Sequence, residues 1–229
     1  MSEVNWQNGI HPTAMLLAVR DRVCQRKVLL FNSACCRRVW SRLGPLDRAF
    51  VEQIETAIDT PEEVRELEAG LDSERVASLA MAGLSDHTVS DEIASRLTSQ
   101  TALCLSVVGD RGWGIGLLAF AAAQLVANTE PEGGQRVAQE HEGMEQMRLL
   151  RCIFGNPFRS TIFTPEWKTS TVVSLAAAIY GERAFDRLPI LADALEEAGC
   201  DDASMLDHCR GNSLHVRGCW VIDLVLGKI

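Results

Sequence analysis

Apolar residues recur at intervals of three and four along most of this chain, which is the pattern of amphipathic helices. In the first third, the pattern predicts helices over residues 26–43, 46–57 and 61–69. Gly44 and Pro45 are expected to end the first of them. Thr60, Pro61 and Glu63 form a capping box at the start of the third, with Thr60 as N-cap and Pro61 in the first helical position.

The remainder of the chain also has helical periodicity. A glycine-rich turn at residues 109–114 separates two predicted helices in the middle, and residues 128–134 read as a linker. Predicted helices cover residues 85–108, 114–127, 135–153, 170–180, 187–198, 202–209 and 217–226. The fold class predicted is therefore all-α, with an N-terminal helical bundle (residues 1–130) packed on a compact C-terminal region of short helices (residues 131–229).

Composition excludes several protein classes. The chain has 229 residues, of which 47% are hydrophobic and 23% charged, so it can bury a substantial core and is neither disordered nor fibrous. The polar N-terminus lacks the pattern of a signal peptide, and the apolar stretch at residues 101–127 is interrupted by Asp110 and Arg111. We therefore expect a cytoplasmic protein without a membrane partner, in which the eight cysteines are thiols.

Charge is distributed unevenly. Residues 20–48 carry eight Lys or Arg and two Asp, whereas residues 49–100 carry twelve acidic and three basic residues. Adjacent helices with oppositely charged rims would explain this arrangement. The alternative is an Arg-rich surface that binds RNA or an acidic partner, although the net charge of −9 argues against indiscriminate binding to nucleic acid. The partner-binding residues would then be Arg26, Lys27, Arg37, Arg38 and Arg42.

The strongest chemical cluster in the sequence lies near the C-terminus. It contains Cys200, His208, Cys209, His215 and Cys219, and thiolates and imidazoles are the ligands that zinc prefers. Neighbouring residues on a helix point about 100° apart, so His208 and Cys209 cannot easily bind the same ion. The alternative is that Cys200 and Cys219 are buried, while His208 and His215 cap helix ends or form hydrogen bonds across the loop. Zinc is the one cofactor that the sequence suggests.

Other sequences resemble chemical sites without matching them. Cys35 and Cys36 are expected in the core, since buried thiols are common in helical cores. Residues 141–145 come close to the zinc-protease sequence H-E-x-x-H, but Glu145 replaces the second histidine. The sequence contains no nucleophile elbow or oxyanion loop that would support a hydrolytic triad. An enzyme is therefore not the favoured prediction, and no catalytic residue is assigned.

Four segments of the sequence resemble those of a known protein family. They are the segment at residues 26–40, IFGNPFR at residues 153–159, ERAFDRLPILADALE at residues 182–196, and HVRGCWV at residues 215–221. With these phrases the chain resembles a family of uncharacterised cytoplasmic helical proteins that occurs as many paralogues in planctomycete-type bacteria. The resemblance covers about half of the chain and implies a helical fold, but it implies no activity.

Three hypotheses about function follow. The many paralogues, and the fusion of some to other modules, favour a non-enzymatic protein-interaction or adaptor module with a protein partner. The second hypothesis is a domain stabilised by zinc at the C-terminal Cys/His cluster, and the third is binding of RNA or an acidic partner by residues 20–48. The sequence does not predict an oligomeric state.

Overall fold

The structure is a computed structural model that describes residues 2–9, 11–19, 24–69 and 134–228. Within these ranges 74% of residues are helical and none lies in a strand, which confirms the all-α class. Among the helices in these ranges, none combines the length and hydropathy needed to cross a lipid bilayer. The helices predicted at 85–108 and 114–127, the turn at 109–114 and the predicted domain boundary near residue 131 lie outside the described residues.

Ten α-helices lie in the described ranges, and they are numbered here in chain order. They are α1 (Glu3–Asn8), α2 (Pro12–Val19), α3 (Gln25–Arg38), α4 (Pro45–Ala57), α5 (Pro61–Ala69), α6 (Gln135–Phe154), α7 (Ser170–Glu182), α8 (Leu188–Glu197), α9 (Ala203–Arg210) and α10 (Trp220–Leu226). Single 3-10 turns occupy Trp40–Arg42, Pro165–Trp167 and Phe185–Arg187.

The helix predicted over residues 26–43 ends earlier than its apolar periodicity suggests. Its α-helical part stops at Arg38, and Trp40–Arg42 tightens into a 3-10 turn. Gly44 then acts as N-cap of α4 in extended backbone (φ −65°, ψ 165°), as expected for a residue that precedes proline. The carboxylate of Asp47 accepts a hydrogen bond from the Gly44 N–H at 3.1 Å, so the turn and the start of α4 are fixed together.

The described chain divides into two compact units. Unit 1 comprises the described residues within Asn5–Met147, and unit 2 comprises Ser2–Val4 together with Arg148–Ile229. In unit 1 the central element is α3, where nine consecutive residues from Val28 to Cys36 are buried. A helix buried on all sides lies at the centre of a core, which confirms that Cys35 and Cys36 are core residues.

Unit 2 is built around helices α7, α8, α9 and α10. Their apolar faces form one core with Cys152 from the end of α6, and its fully buried members include Ile179, Leu191, Leu195 and Val221. Two helices of this core begin at side-chain caps: Thr169 accepts from the Val172 N–H at 3.3 Å, and Asp202 accepts from the Met205 N–H at 3.1 Å.

The side chain of Glu3 fixes the N-terminal segment of unit 2 to the turn after α6. The carboxylate of Glu3 accepts a hydrogen bond from Nδ2 of Asn156 at 2.8 Å and pairs with the guanidinium of Arg159. Asn156 also accepts from the Phe158 N–H at 3.0 Å, so the turn after α6 is ordered by its own side chain as well.

Candidate metal centre

Four side chains of unit 2 converge on one point. They are Cys152, His208, His215 and Cys219, and one donor atom from each lies within 4.8 Å of all the others. The Cys152 Sγ lies 3.8 Å from Nδ1 of His215, and Nε2 of His208 lies 3.3 Å from the Cys219 Sγ. A tetrahedral zinc site with normal bond lengths has ligand-to-ligand distances of about 3.3–3.8 Å. We call this group the Cys2His2 cluster.

Each member of the cluster comes from a different part of unit 2. Cys152 lies in the last turn of α6, His208 lies in α9, and Cys219 is the N-cap residue of α10. His215 comes from the loop between the last two helices. Gly218 has φ +91°, a left-handed conformation that glycine adopts readily, and this turn brings Cys219 to the start of α10. The cluster therefore joins the end of α6 to α9 and α10.

The cluster is largely shielded from water on its sulfur side. Cys152 and Cys219 are 1% and 0% exposed, whereas the two histidines are half-buried. Burial alone would raise the pKa of Cys219, but hydrogen bonds from Cys152, His208 and His215 outweigh it and hold that pKa well below its usual value. This environment favours a thiolate, which is the form of cysteine that binds metals.

The two imidazole rings meet edge to face. Their centroids lie 4.8 Å apart with the ring planes at 90°. The buried Nε2 atom of His215 has no hydrogen-bond partner among the described residues. Polar atoms buried in this way cost free energy unless a partner satisfies them.

The structure brings together three of the five metal ligands that the sequence suggests. His208, His215 and Cys219 lie in the cluster, whereas Cys200 and Cys209 belong to the surrounding core and are not members of it. The Cys200 thiol is 4.0 Å from the Met205 sulfur, and burial raises the pKa of Cys209 far above its usual value. His208 and its neighbour Cys209 thus point in different directions, as the helical geometry predicts.

The fourth member of the cluster, Cys152, is missing from the sequence-based set. It lies more than fifty residues before His208 on a different helix, so no local spacing connects it with the C-terminal cysteines and histidines. One signal was present: Cys152 is in the last turn of a helix that ends at Phe154, and it directly precedes the IFGNPFR phrase, one of the four that carry the family resemblance.

A tryptophan forms the wall beside the cluster. The Trp220 indole lies 5.4 Å from the His208 ring, centroid to centroid, with an angle of 49° between the planes. The indole also packs on Gly155, which has φ +62°. A Cβ atom at Gly155 would lie 3.1 Å from Cγ of Trp220, closer than carbon atoms normally approach.

The predicted partner-binding arginines are paired within unit 1. Oppositely charged helix rims face each other there, and the closest contacts are Arg26 to Asp59 at 2.8 Å, Arg37 to Glu55 at 2.6 Å, and Arg38 to Glu142 at 2.9 Å. Lys27 is half-buried. Arg42 ends a 3-10 turn, and its side chain lies outside the described part of the structure. The guanidinium charges of the three paired arginines are therefore compensated locally.

The near-match to a zinc-protease sequence at residues 141–145 has a different role. Glu142 is 2% exposed, and both its oxygens accept hydrogen bonds from Nε of Arg38 at 3.0–3.1 Å. Glu145 pairs with the same guanidinium at 3.2 Å. Both carboxylates therefore neutralise the half-buried Arg38.

Comparisons with known protein families, with curated proteins and with solved structures found no match. The resemblance carried by the four sequence phrases stays a prediction. Function is therefore inferred from the geometry and chemistry of the side chains described above.

Proposed function

We propose that unit 2 is a zinc-binding helical module in which Cys152, His208, His215 and Cys219 hold one Zn²⁺ ion. The observation that supports this proposal is the convergence of four donor atoms within 4.8 Å of one another. The four residues come from three helices and a loop, so their meeting is a property of the tertiary fold.

The donor set selects the class of metal. Two sulfurs and two imidazole nitrogens suit zinc, whereas calcium and magnesium require oxygen ligands. Two thiolates balance the charge of a divalent ion, so the complex with two neutral imidazoles carries no net charge. A neutral complex is far easier to bury than a charged one, and both sulfurs lie in the core of unit 2.

The number of ligands indicates what the ion would do. Catalytic zinc sites use three protein ligands and keep one position open for water or substrate, whereas four protein ligands complete the tetrahedron. A zinc ion held by all four residues would therefore serve structure. It would cross-link the end of α6 to α9 and α10, and its binding free energy would add to the folding free energy of unit 2.

A zinc ion with four protein ligands would have no open position for water or substrate, so the ion itself would not be catalytic. We propose that the zinc-loaded module acts as an interaction or adaptor module in a cytoplasmic bacterial system, the role that the many paralogues and module fusions of the resembling family favour. Affinity purification from the native host, with the wild-type chain and with Cys219→Ala as baits, tests this part of the proposal. A partner recovered by both baits equally, or by neither, would contradict a zinc-dependent interaction.

Metal analysis tests the zinc site itself. The full chain is purified without a metal-affinity resin, and zinc is measured by elemental analysis. We expect about one equivalent of zinc per chain, because structural sites retain their ion through purification. Cys152→Ala and Cys219→Ala should each reduce the content to below about 0.2 equivalents.

Two cysteines of the same unit provide a matched control. Cys209 is as fully buried as Cys219, and Cys200 is 4% exposed, but neither belongs to the cluster. Cys200→Ala and Cys209→Ala should therefore keep the wild-type zinc content, with circular dichroism confirming the helical content of every variant. Less than about 0.2 equivalents in the wild-type chain would overturn the proposal.

A further inference from the structure

Trp220 is adjacent to, or packs near, three of the four residues of the Cys2His2 cluster. It directly follows Cys219 in sequence, its indole lies beside the His208 ring at 5.4 Å, and it packs on Gly155, three residues after Cys152. The side chain is half-buried and packs against the core of unit 2. A shift of this indole would therefore change the positions of the cluster side chains.

Gly155 meets two separate requirements. Its N–H donates to the Arg151 carbonyl at 3.0 Å and its φ is +62°, so it ends α6 in the left-handed conformation that favours glycine. In addition, a Cβ at this position would meet three indole carbons at 3.1–3.4 Å. The first requirement concerns the backbone alone, whereas the second depends on Trp220, so the two can be separated by mutation.

We infer that Trp220, seated on Gly155, is a positioning residue for the zinc site, because its indole fixes the orientation of the His208 imidazole. This inference rests on the proposed zinc site. A second ring, that of His215, also restricts the orientation of the His208 imidazole, because the two rings pack edge to face. Between these two rings, Nε2 of His208 is directed toward the Cys219 sulfur at 3.3 Å.

The energetic consequence follows from how metal sites are organised. Groups that orient a metal ligand contribute to affinity because the ligand then loses less freedom when it binds, and their removal commonly weakens metal binding by about 10–100-fold. Trp220→Leu retains an apolar side chain but removes the flat surface beside His208. We therefore expect weaker zinc binding and an altered coordination geometry in this variant.

The chain offers a matched control tryptophan. Trp167 is also half-buried and packs against the same core, but in the described part of the structure its ring contact is with Phe163, edge to face at 5.9 Å, and not with His208 or His215. Trp167→Leu should lower the stability of unit 2 by removing a similar apolar area. It should not change the geometry of the metal site.

The experiment measures metal binding by the full chain. Zinc affinity is determined by competition with a chromophoric chelator, and cobalt(II) is bound in place of zinc so that its visible absorption reports coordination geometry. Trp220→Leu should weaken zinc binding by about tenfold or more and change the cobalt spectrum. Trp167→Leu should retain the wild-type cobalt spectrum. Trp220→Phe keeps an aromatic ring, so its zinc affinity should lie between those of the wild type and Trp220→Leu. This variant replaces Trp220→Leu in the experiment if the leucine variant does not fold.

A double-mutant cycle separates the indole contact from backbone strain. Gly155→Ala should weaken zinc binding in the wild-type chain through both effects. In the Trp220→Leu chain the same substitution meets no indole, so its effect on zinc affinity should be smaller by about threefold or more. Equal effects in the two backgrounds would overturn the inference.

The remaining outcomes distinguish the two proposals. A wild-type chain that binds neither zinc nor cobalt overturns the zinc site and this inference together. A wild-type chain that binds zinc, with Trp220→Leu unchanged in affinity and in cobalt spectrum, overturns only the role of Trp220. The same holds if Trp167→Leu changes the cobalt spectrum as much as Trp220→Leu does.

Discussion

Arg38 and Glu142 are 104 residues apart in sequence, yet Nη2 of Arg38 lies 2.9 Å from Oε2 of Glu142 in unit 1. The contact is part of a larger network, since Glu145 accepts from Nη1 of the same arginine and Gln146 donates to Glu142 at 3.3 Å. Glu142 is 2% exposed, so its charge depends on these partners. The network joins α3 to α6 by several charge-assisted hydrogen bonds.

Arg38→Ala should lower the free energy of unfolding by about 3–5 kcal/mol, because it leaves the buried Glu142 carboxylate without its counter-charge. Arg38→Lys should recover only part of this loss, since an ammonium group cannot form the same forked contact. Chemical denaturation measures both. Arg65→Ala is the control: Arg65 forms an exposed pair with Glu62 at 3.8 Å, and its loss should cost at most about 0.5 kcal/mol. Equal losses in the Arg38 and Arg65 variants would contradict this account.

The proposed zinc site predicts that removal of zinc destabilises unit 2. An ion held by the four residues would bind the folded cluster far better than the unfolded chain, so a strong chelator should lower the thermal midpoint, and added zinc should restore it. Protons compete with zinc for thiolates and imidazoles, so zinc affinity should fall as the pH falls, for example from 7.5 to 5.5. Calorimetry with and without chelator checks the first effect. A thermal midpoint indifferent to chelator in a zinc-loaded sample would count against a structural role.

The cysteines should differ strongly in reactivity. Burial, together with the nearby carboxylates of Asp47 and Glu55, raises the pKa of Cys36 to about 12. At pH 8 only about one in ten thousand Cys36 thiols would then be a thiolate, which is the reactive form. Cys24 is exposed and, among the cysteines in the described ranges, should react first with iodoacetamide. Labelling of Cys36 should rise only as the pH approaches 12, and peptide mass spectrometry can follow both sites. Labelling of Cys36 at the rate of Cys24 in the folded protein at pH 8 would refute this prediction.

Arg183 is the one non-glycine residue with positive φ in the described ranges, at +55°. It ends α7 as a left-handed C-cap, a conformation that costs a residue with a Cβ about 1 kcal/mol relative to glycine. Arg183→Gly should therefore be about 1 kcal/mol more stable than Arg183→Ala, which loses the same side-chain contacts. The comparison uses denaturation midpoints of the two variants. If the alanine variant were the more stable, strain at this cap could not be the explanation.

The starts of helices were predictable from the sequence where capping residues precede them. Helix α5 runs over Pro61–Ala69 as its capping residues predict, and Asp202 caps α9. The last helix begins at Trp220, three residues later than predicted, because Gly218 adopts a left-handed conformation that a helix cannot include. Sequence periodicity does not show such a turn, since Val216 and Arg217 fit a helical pattern equally well.

The Cys2His2 cluster was predictable only in part, for a different reason. His208, His215 and Cys219 lie within twelve residues, so sequence proximity suggests that they meet. Cys152 joins them through the packing of α6 into the core of unit 2, and that packing depends on many apolar contacts spread over the unit. Cys200 and Cys209 have the same residue type and similar burial, but their directions on the fold exclude them from the cluster.

The hydrogen bond between Asn156 and Glu3 has a consequence for the order of events during synthesis. It joins residues 153 apart in sequence, so at translation rates of about 5–20 residues per second their synthesis is separated by roughly 8–30 s. Throughout that interval, residues 2–4 are on a growing chain that does not yet contain their docking site. Residues 2–4 therefore cannot reach their native position in unit 2 until Asn156 has been synthesised.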